Sequence, residues 1–188
     1  MNDFSKLIGG ATIIPVLTLT DPDHAICIAR RLAADGMAAV EVTLRTSQAL
    51  DCIRAITRAL PDVIVGAGTV LRPQQMDEAR KAGAQFLVSP GATAQLIDAC
   101  RTGSHPWLPG ATTPSEAMYL HDAGFDHLKF FPAEPAGGIA FLKAIAPVLA
   151  DVRFCPTGGI DQSNAANYLA LPNVFAVGGS WVVPRDVT

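Results

Sequence analysis

The stretch AAVEVTLR, Ala38 to Arg45, alternates apolar Val40, Val42 and Leu44 with polar Glu41, Thr43 and Arg45. Successive side chains on a strand point to opposite faces, so one face here is apolar and the other carries a carboxylate, a hydroxyl and a guanidinium. In an open parallel sheet helices cover both faces, and strands read as continuous apolar runs. A closed barrel has an inner face that holds polar groups near the C-terminal ends of its strands. The run HLKFFPAE, His127 to Glu134, repeats the anomaly, with Lys129 set between apolar neighbours. A buried ammonium is costly unless it is paired or chemically employed. Both stretches therefore favour the barrel.

Outward from these two strands the same unit recurs: a short apolar run, a loop, then a helical segment ending at Gly or Pro. The apolar runs centre near Ile14, Val40, Ile64, Leu87, Trp107, Leu128, Val152 and Phe175, roughly 20 to 26 residues apart, the length of a strand, a helix and two short connections. Asp21 and Pro22 open a helix that stops at Gly36; Pro73 and Gly83 bracket another. Thr113, Pro114 and Glu116 form a capping box ahead of Gly124, and Asp161 is placed to cap the helix before Pro172. The expected fold is α/β, a (β/α)8 TIM barrel, with the 188 residues forming a single domain. The chain stops at Thr188, soon after the eighth strand, so the last helix is expected to be truncated or lacking and one groove left uncovered.

Composition excludes several classes of function. No apolar stretch approaches the roughly 18 to 20 residues that cross a bilayer, and MNDFSKLIGG has no basic segment followed by an apolar one. The net charge of −3 and scattered Lys and Arg give no basic stripe for a nucleic acid. Cys27, Cys52, Cys100 and Cys155 lie far apart, with no histidine at ligand spacing, so neither a metal site nor a disulfide framework is indicated. A cytoplasmic protein with reduced thiols is expected.

Lys129 and Arg45 fall toward the C-terminal strand ends, where barrel active sites lie. Burial disfavours the charged form of Lys129 and increases the neutral amine available to attack a ketone and form a Schiff base; the alternative is a structural ion pair with Glu41. Glu41, the carboxylate inside an apolar strand, suits proton transfer to and from a substrate. Arg45 suits a bidentate grip on a carboxylate, or else is a solvated strand-end arginine. Two glycine pairs, TGGID from Thr157 to Asp161 and GGS from Gly178 to Ser180, follow the seventh and eighth strands, the usual barrel phosphate site. Thr69 and Pro90 sit at the rim, able only to shape a pocket. The four histidines and both tryptophans read as packing or surface residues.

EVTLR, IVGAGTVL, GAQFLVSPG, KFFPAE, VRFCPTGGI and GGSW, in this order and spanning nearly the whole chain, resemble the 2-keto-3-deoxy-6-phosphogluconate (KDPG) aldolases. The resemblance implies a class I lyase in which Lys129 forms the Schiff base, Glu41 is the general acid and base and Arg45 clamps the substrate carboxylate. It further implies a pocket lined by Thr69, Pro90, Phe131 and Thr157, and a phosphate held by Gly158, Gly159, Gly178, Gly179 and Ser180. The implied partner is a small phosphorylated keto acid, with no metal or other cofactor, in a cytoplasmic homotrimer that also acts on 4-hydroxy-2-oxoglutarate. Pro135 and Ala136 depart from the family pattern just after KFFPAE. Three alternatives stand beside this reading: an aldolase of the same family acting on the galactonate epimer, a barrel that isomerises or decarboxylates its substrate with Lys129 only stabilising charge, and a non-catalytic barrel that binds a sugar phosphate.

Overall fold

Helices and strands alternate along the chain because each apolar run is followed by its own helix start. A computed structural model describes residues 4–103 and 106–183. His105 and the chain end, where the last helix was expected to be cut short, lie outside the described residues. A short helix α1 (Phe4–Leu7) precedes β1 (Ile13–Leu17), α2 (Pro22–Ala34), β2 (Ala39–Thr43), α3 (Ala49–Ala59), β3 (Ile64–Gly68), α4 (Pro73–Ala82), β4 (Phe86–Val88) and α5 (Ala94–Gly103). The second half comprises β5 (Trp107–Leu108), β6 (Gly110–Ala111), α6 (Pro114–Asp122), β7 (His127–Phe130), α7 (Gly138–Ile145), β8 (Arg153–Pro156), α8 (Ala165–Leu169) and β9 (Val177–Gly179).

The expected caps form. Asp21 accepts the His24 amide at 2.7 Å, and Gly83 ends α4 in the left-handed conformation at φ 103°. Thr113 and Glu116 make the reciprocal capping box of α6. Asp161 differs from expectation: its Oδ1 accepts from the Ser163 amide at 2.7 Å, capping the turn before α8 rather than the helix itself.

Every strand pairing is parallel. One sheet runs β5-β4-β3-β2-β1-β9 and another β6-β7-β8. The fifth expected strand is split at Pro109, which has no N–H to give to a ladder. Residues on its N-terminal side pair with β4, and those after it pair with β7, whose Lys129 amide donates to the Pro109 carbonyl at 2.8 Å. Parallel bridges Phe154↔Val174 and Thr157↔Gly178 connect β8 toward β9. The result is an α/β fold whose parallel strands curl. The last strand begins later than the Phe175 centre implied, so Gly178 and Gly179 lie within β9, paired with Ile14 and Pro15, and not in a loop after it.

Alternation divides the core in two. Val40 and Val42 face the helices, packed in one cluster with Leu32, Ile53 and Ile56. Burying each such side chain contributes about 1.5–3 kcal/mol. The opposite faces meet one another inside the curl, where Ile14, Val88, Leu108 and Cys155 form a second cluster with Phe4 and Ile8. Phe4 packs edge-on against Phe86 at 5.5 Å and Phe175 at 6.1 Å, so α1 fills the N-terminal end of the curled sheet. The polar side chains Glu41, Thr43, Lys129 and Thr157 are buried as well. Among the described residues no helix is long and apolar enough to cross a membrane.

Candidate active site

The buried lysine and glutamate reach each other across the curl. Glu41 sits at the middle of β2 and Lys129 near the end of β7, and Lys129 Nζ lies 3.3 Å from Glu41 Oε1 and 3.5 Å from Oε2. Their side chains retain only 6% and 5% exposure. The ion pair that the sequence left open as an alternative is thus present, and it is the same pair of groups that the chemical reading requires. Losing one partner of such a pair typically costs about 3–5 kcal/mol, because the other is left buried and charged.

Room for the Glu41 carboxyl comes from β3. Thr43 and Gly68 are register partners, as are Glu41 and Gly66. A Cβ on Gly68 would lie 2.0 Å from Glu41 Oε1, and one on Gly66 would run into the Phe86 ring at 2.1 Å. Neither glycine bears a functional group that marks it in the sequence, yet a strand-interior glycine signals close approach and these two share the inner face of β3. Gly110, opposite Lys129 in register, is also constrained, since a Cβ there would strike the Pro90 carbonyl at 2.2 Å.

Other groups surround the ammonium. The Phe131 ring centre is 5.5 Å from Lys129 Nζ, within cation–π range, and the Phe131–Pro132 peptide is cis. Cys155 pairs with Lys129 in register; burial pushes its thiol up to about 12, with smaller opposed effects from the Lys129 charge and the Glu41 carboxylate. It is therefore an uncharged wall of the site at neutral pH. Thr157 is buried at the end of β8, its Oγ1 where a Cβ on Gly178 would fall, 2.4 Å away.

Arg45 departs from the expected strand face: β2 ends at Thr43, and Arg45 is exposed in the following turn. Its Nε donates to Thr69 Oγ1 at 3.2 Å. Thr69 holds a positive φ of 59°, rare for a β-branched residue. Expected at the rim to shape a pocket, it also accepts the Arg45 hydrogen bond there.

Gly158 and Gly159 form a loop after β8, both with positive φ, 98° and 82°. The Gly158 carbonyl accepts from the Glu134 amide at 3.0 Å. In a trans peptide C=O and N–H point oppositely, so the Gly159 N–H is directed away from the segment after β7. Gly158 itself rests on the Phe131 ring and Pro132, which an added Cβ would meet at 3.3 Å. Ser180, exposed, follows the strand glycines Gly178 and Gly179. The structure thus brings Lys129 and Glu41 together with the half-buried Phe131 ring beside the ammonium, and Thr157 is buried at the end of neighbouring β8, with Arg45–Thr69 and the Gly158–Gly159 loop as separate features of the loops beyond β2, β3 and β8.

These features define a parallel α/β protein with an amine–carboxylate couple enclosed between its strands. The family model described as KDPG and KHG aldolase matches residues 5–188, and the chain belongs to that family of lyases. The KHG/KDPG aldolase of Escherichia coli (strain K12) is 51% identical over 174 residues, covering 93% of this chain and 82% of the relative. A Legionella pneumophila KDPG aldolase structure, with pyruvate captured as a covalent carbinolamine intermediate, has TM-score 0.94 and 42% identity over 98% of this chain and 89% of that one. The Zymomonas mobilis ZM4 aldolase with 3-phosphoglycerate has TM-score 0.93 and 45% identity, covering 97% and 87%.

Proposed function

We propose that this chain is a class I aldolase that cleaves KDPG reversibly to pyruvate and D-glyceraldehyde 3-phosphate, with 4-hydroxy-2-oxoglutarate as a second substrate. The observation that carries the reading is the buried Lys129–Glu41 couple, 3.3 Å apart, in a chain of this family. The reaction requires a nucleophilic amine beside a group that moves protons, in a site shielded from water.

In the proposed sequence, Lys129 Nζ releases a proton to water, the freed amine attacks the C2 ketone to form a carbinolamine, and a proton returns from water to the departing hydroxyl. Loss of water gives an iminium. Glu41, directly or through water, takes the C4 hydroxyl proton; the C3–C4 bond breaks, and its electron pair flows into the iminium to form an enamine. Glyceraldehyde 3-phosphate departs, the enamine is protonated at C3, and hydrolysis releases pyruvate and restores the amine. Arg45, fixed through Nε on Thr69, presents its terminal guanidinium nitrogens to the substrate carboxylate. Thr69, Pro90, Phe131 and Thr157 line the pocket, while Gly158, Gly159, Gly178, Gly179 and Ser180 hold the phosphate. Gly178 and Gly179 are strand residues, and their lack of a Cβ also leaves the space that Thr157 and Trp181 occupy.

The same reading makes the 188 residues one domain with its strands closed into a (β/α)8 barrel. Continuity through Pro109 on one side and the two parallel bridges between β8 and the β9 segment on the other support closure. A homotrimer in the cytoplasm, with no nucleic-acid or membrane partner, is the assembly proposed.

Pyruvate with borohydride should fix a covalent adduct on Lys129, located by peptide mass spectrometry, and a coupled pyruvate assay should report KDPG cleavage. Lys129→Ala should abolish both while keeping part of the ligand affinity. An unmodified Lys129 with turnover intact would overturn the Schiff-base assignment and favour a barrel in which the lysine only stabilises charge. Ligand binding with neither turnover nor pyruvate proton exchange would mark a non-catalytic barrel. Side-by-side kinetics with the gluconate and galactonate epimers assign the sugar acid.

A further inference from the structure

The loop Gly158–Gly159 is not held by its own residues alone. Tyr168, on α8, is wholly buried, and its hydroxyl donates to Glu134 Oε1 across the gap between the segments that follow β7 and β8. Glu134 lies in the segment that continues from Lys129, where its amide donates to the Gly158 carbonyl at 3.0 Å and the Ala133 amide donates to the Thr157 carbonyl at 2.8 Å. The Glu134 side chain fills the space that a Cβ on Gly159 would need, 2.6 Å from its Cβ and Cγ. A Cβ on Gly138 would meet Tyr168 Oη at 2.8 Å and Glu134 Oε1 at 3.2 Å. Two positive-φ glycines, at 82° for Gly159 and 53° for Gly138, therefore close over one tyrosine–carboxylate hydrogen bond. On the other side of the loop, Asn164 Nδ2 donates to the Gly159 carbonyl at 2.9 Å. With the carbonyls of residues 157, 158 and 159 all engaged, the peptide planes of the loop are fixed.

We infer that Tyr168 and Glu134 are positioning residues for the phosphate end of the substrate: their hydrogen bond locks the Gly158–Gly159 loop onto the segment that carries on from Lys129. The inference rests on the functional reading above, in which that loop receives phosphate. It separates two tasks within one site. The amine–carboxylate couple lies within the strands and does not use Tyr168, whereas the loop geometry does. Burial is the first cause of the raised Tyr168 ionisation, followed by the Glu134 carboxylate, so the phenol stays a donor across the physiological range.

The experiment compares wild type, Tyr168→Phe, Glu134→Gln and Glu134→Ala on KDPG and on 4-hydroxy-2-oxoglutarate, which has no phosphate. Tyr168→Phe keeps the ring in the core and removes only the donor. It should raise KM for KDPG roughly five- to tenfold, the range of one buried hydrogen bond. Inhibition by inorganic phosphate should weaken by a similar factor. The kcat for 4-hydroxy-2-oxoglutarate and the yield of borohydride-trapped pyruvate should stay within about twofold. Glu134→Gln, which keeps an acceptor, should stand nearer wild type than Glu134→Ala. Equal losses on both substrates, or no change on either, would overturn the positioning role while leaving the aldolase reading intact. A wild type that cleaves neither substrate and traps no pyruvate would remove the functional reading and the positioning role with it.

Discussion

At Gly68 the space occupied by the Glu41 carboxyl is decided by one missing methyl group. Gly68→Ala places a Cβ 2.0 Å from Glu41 Oε1 and 2.6 Å from its Cδ and Cγ, so the carboxyl must leave its position beside Lys129. Misplacement of about 1 Å costs roughly a hundredfold in rate, and KDPG turnover should fall by at least that much in steady-state kinetics. Glu41→Gln makes a different test, since it keeps the shape and removes the proton acceptor. Its kcat should fall on the order of 10²- to 10⁴-fold, with borohydride-trapped pyruvate still detectable on Lys129. Loss of the adduct together with turnover would show that Glu41 acts before carbon–carbon cleavage. Lys129 and Glu41 were legible in the sequence because a charge inside an apolar alternation has few explanations. Gly66 and Gly68 were not, because their meaning depends on register with β2, a relation between residues more than 20 positions apart.

Elements with a strong local signal were the ones the sequence specified well. The capping box of α6 is such a case: Glu116 Oε2 accepts from the Thr112 and Thr113 amides at 2.7 and 2.8 Å, and Thr113 Oγ1 accepts from the Glu116 amide at 3.3 Å. Thr113→Ala should cost about 1 kcal/mol, seen as a melting point lower by about 2–4 °C for a chain of this size. The hydrogen bond from the Thr112 amide is the largest cause holding the Glu116 carboxyl below its usual value. Its contribution to stability is present above that usual value and is lost as pH falls through the lowered one. Glu116→Gln should therefore flatten the acid side of a urea-midpoint profile, and an unchanged profile would count against the box as a stabilising feature. The split of the fifth strand, the late start of β9 and the short α1 left no such local mark. Pro109 breaks the fifth strand only because β4 pairs on one side of it and β7 on the other, and Phe4 belongs to the core only because Phe86 and Phe175 pack around it. Tertiary partners, which a single sequence does not display, decided each of them.

Across the whole molecule, the two-part core makes stability sensitive to alkali. Burial pushes the Cys155 thiol up to about 12 and the Cys100 thiol up to about 11, and it also raises Cys52 and Tyr168. Each of these groups is neutral when protonated. Below their ordinary values, folded and unfolded chains both hold the proton and stability is undiminished. As pH rises beyond those values the unfolded chain ionises first, so stability declines until pH passes the raised folded-state values. Each group contributes a slope of about 1.4 kcal/mol per pH unit while only the unfolded form has lost its proton. Urea midpoints should hold level between pH 7 and 8 and fall steadily above about pH 9, more shallowly in Cys155→Ala, which removes the titrating thiol from the inner cluster. A midpoint that stays level to about pH 11 would mean that these groups are not kept neutral by the fold. Thiol labelling examines the same enclosure at neutral pH: Cys27 is exposed while Cys52, Cys100 and Cys155 are buried, so a thiol reagent should modify Cys27 rapidly in the native protein and the other three only after unfolding. Rapid native labelling of Cys155 would show that solvent reaches the strand interior beside Lys129, where the proposed iminium must be kept from premature hydrolysis.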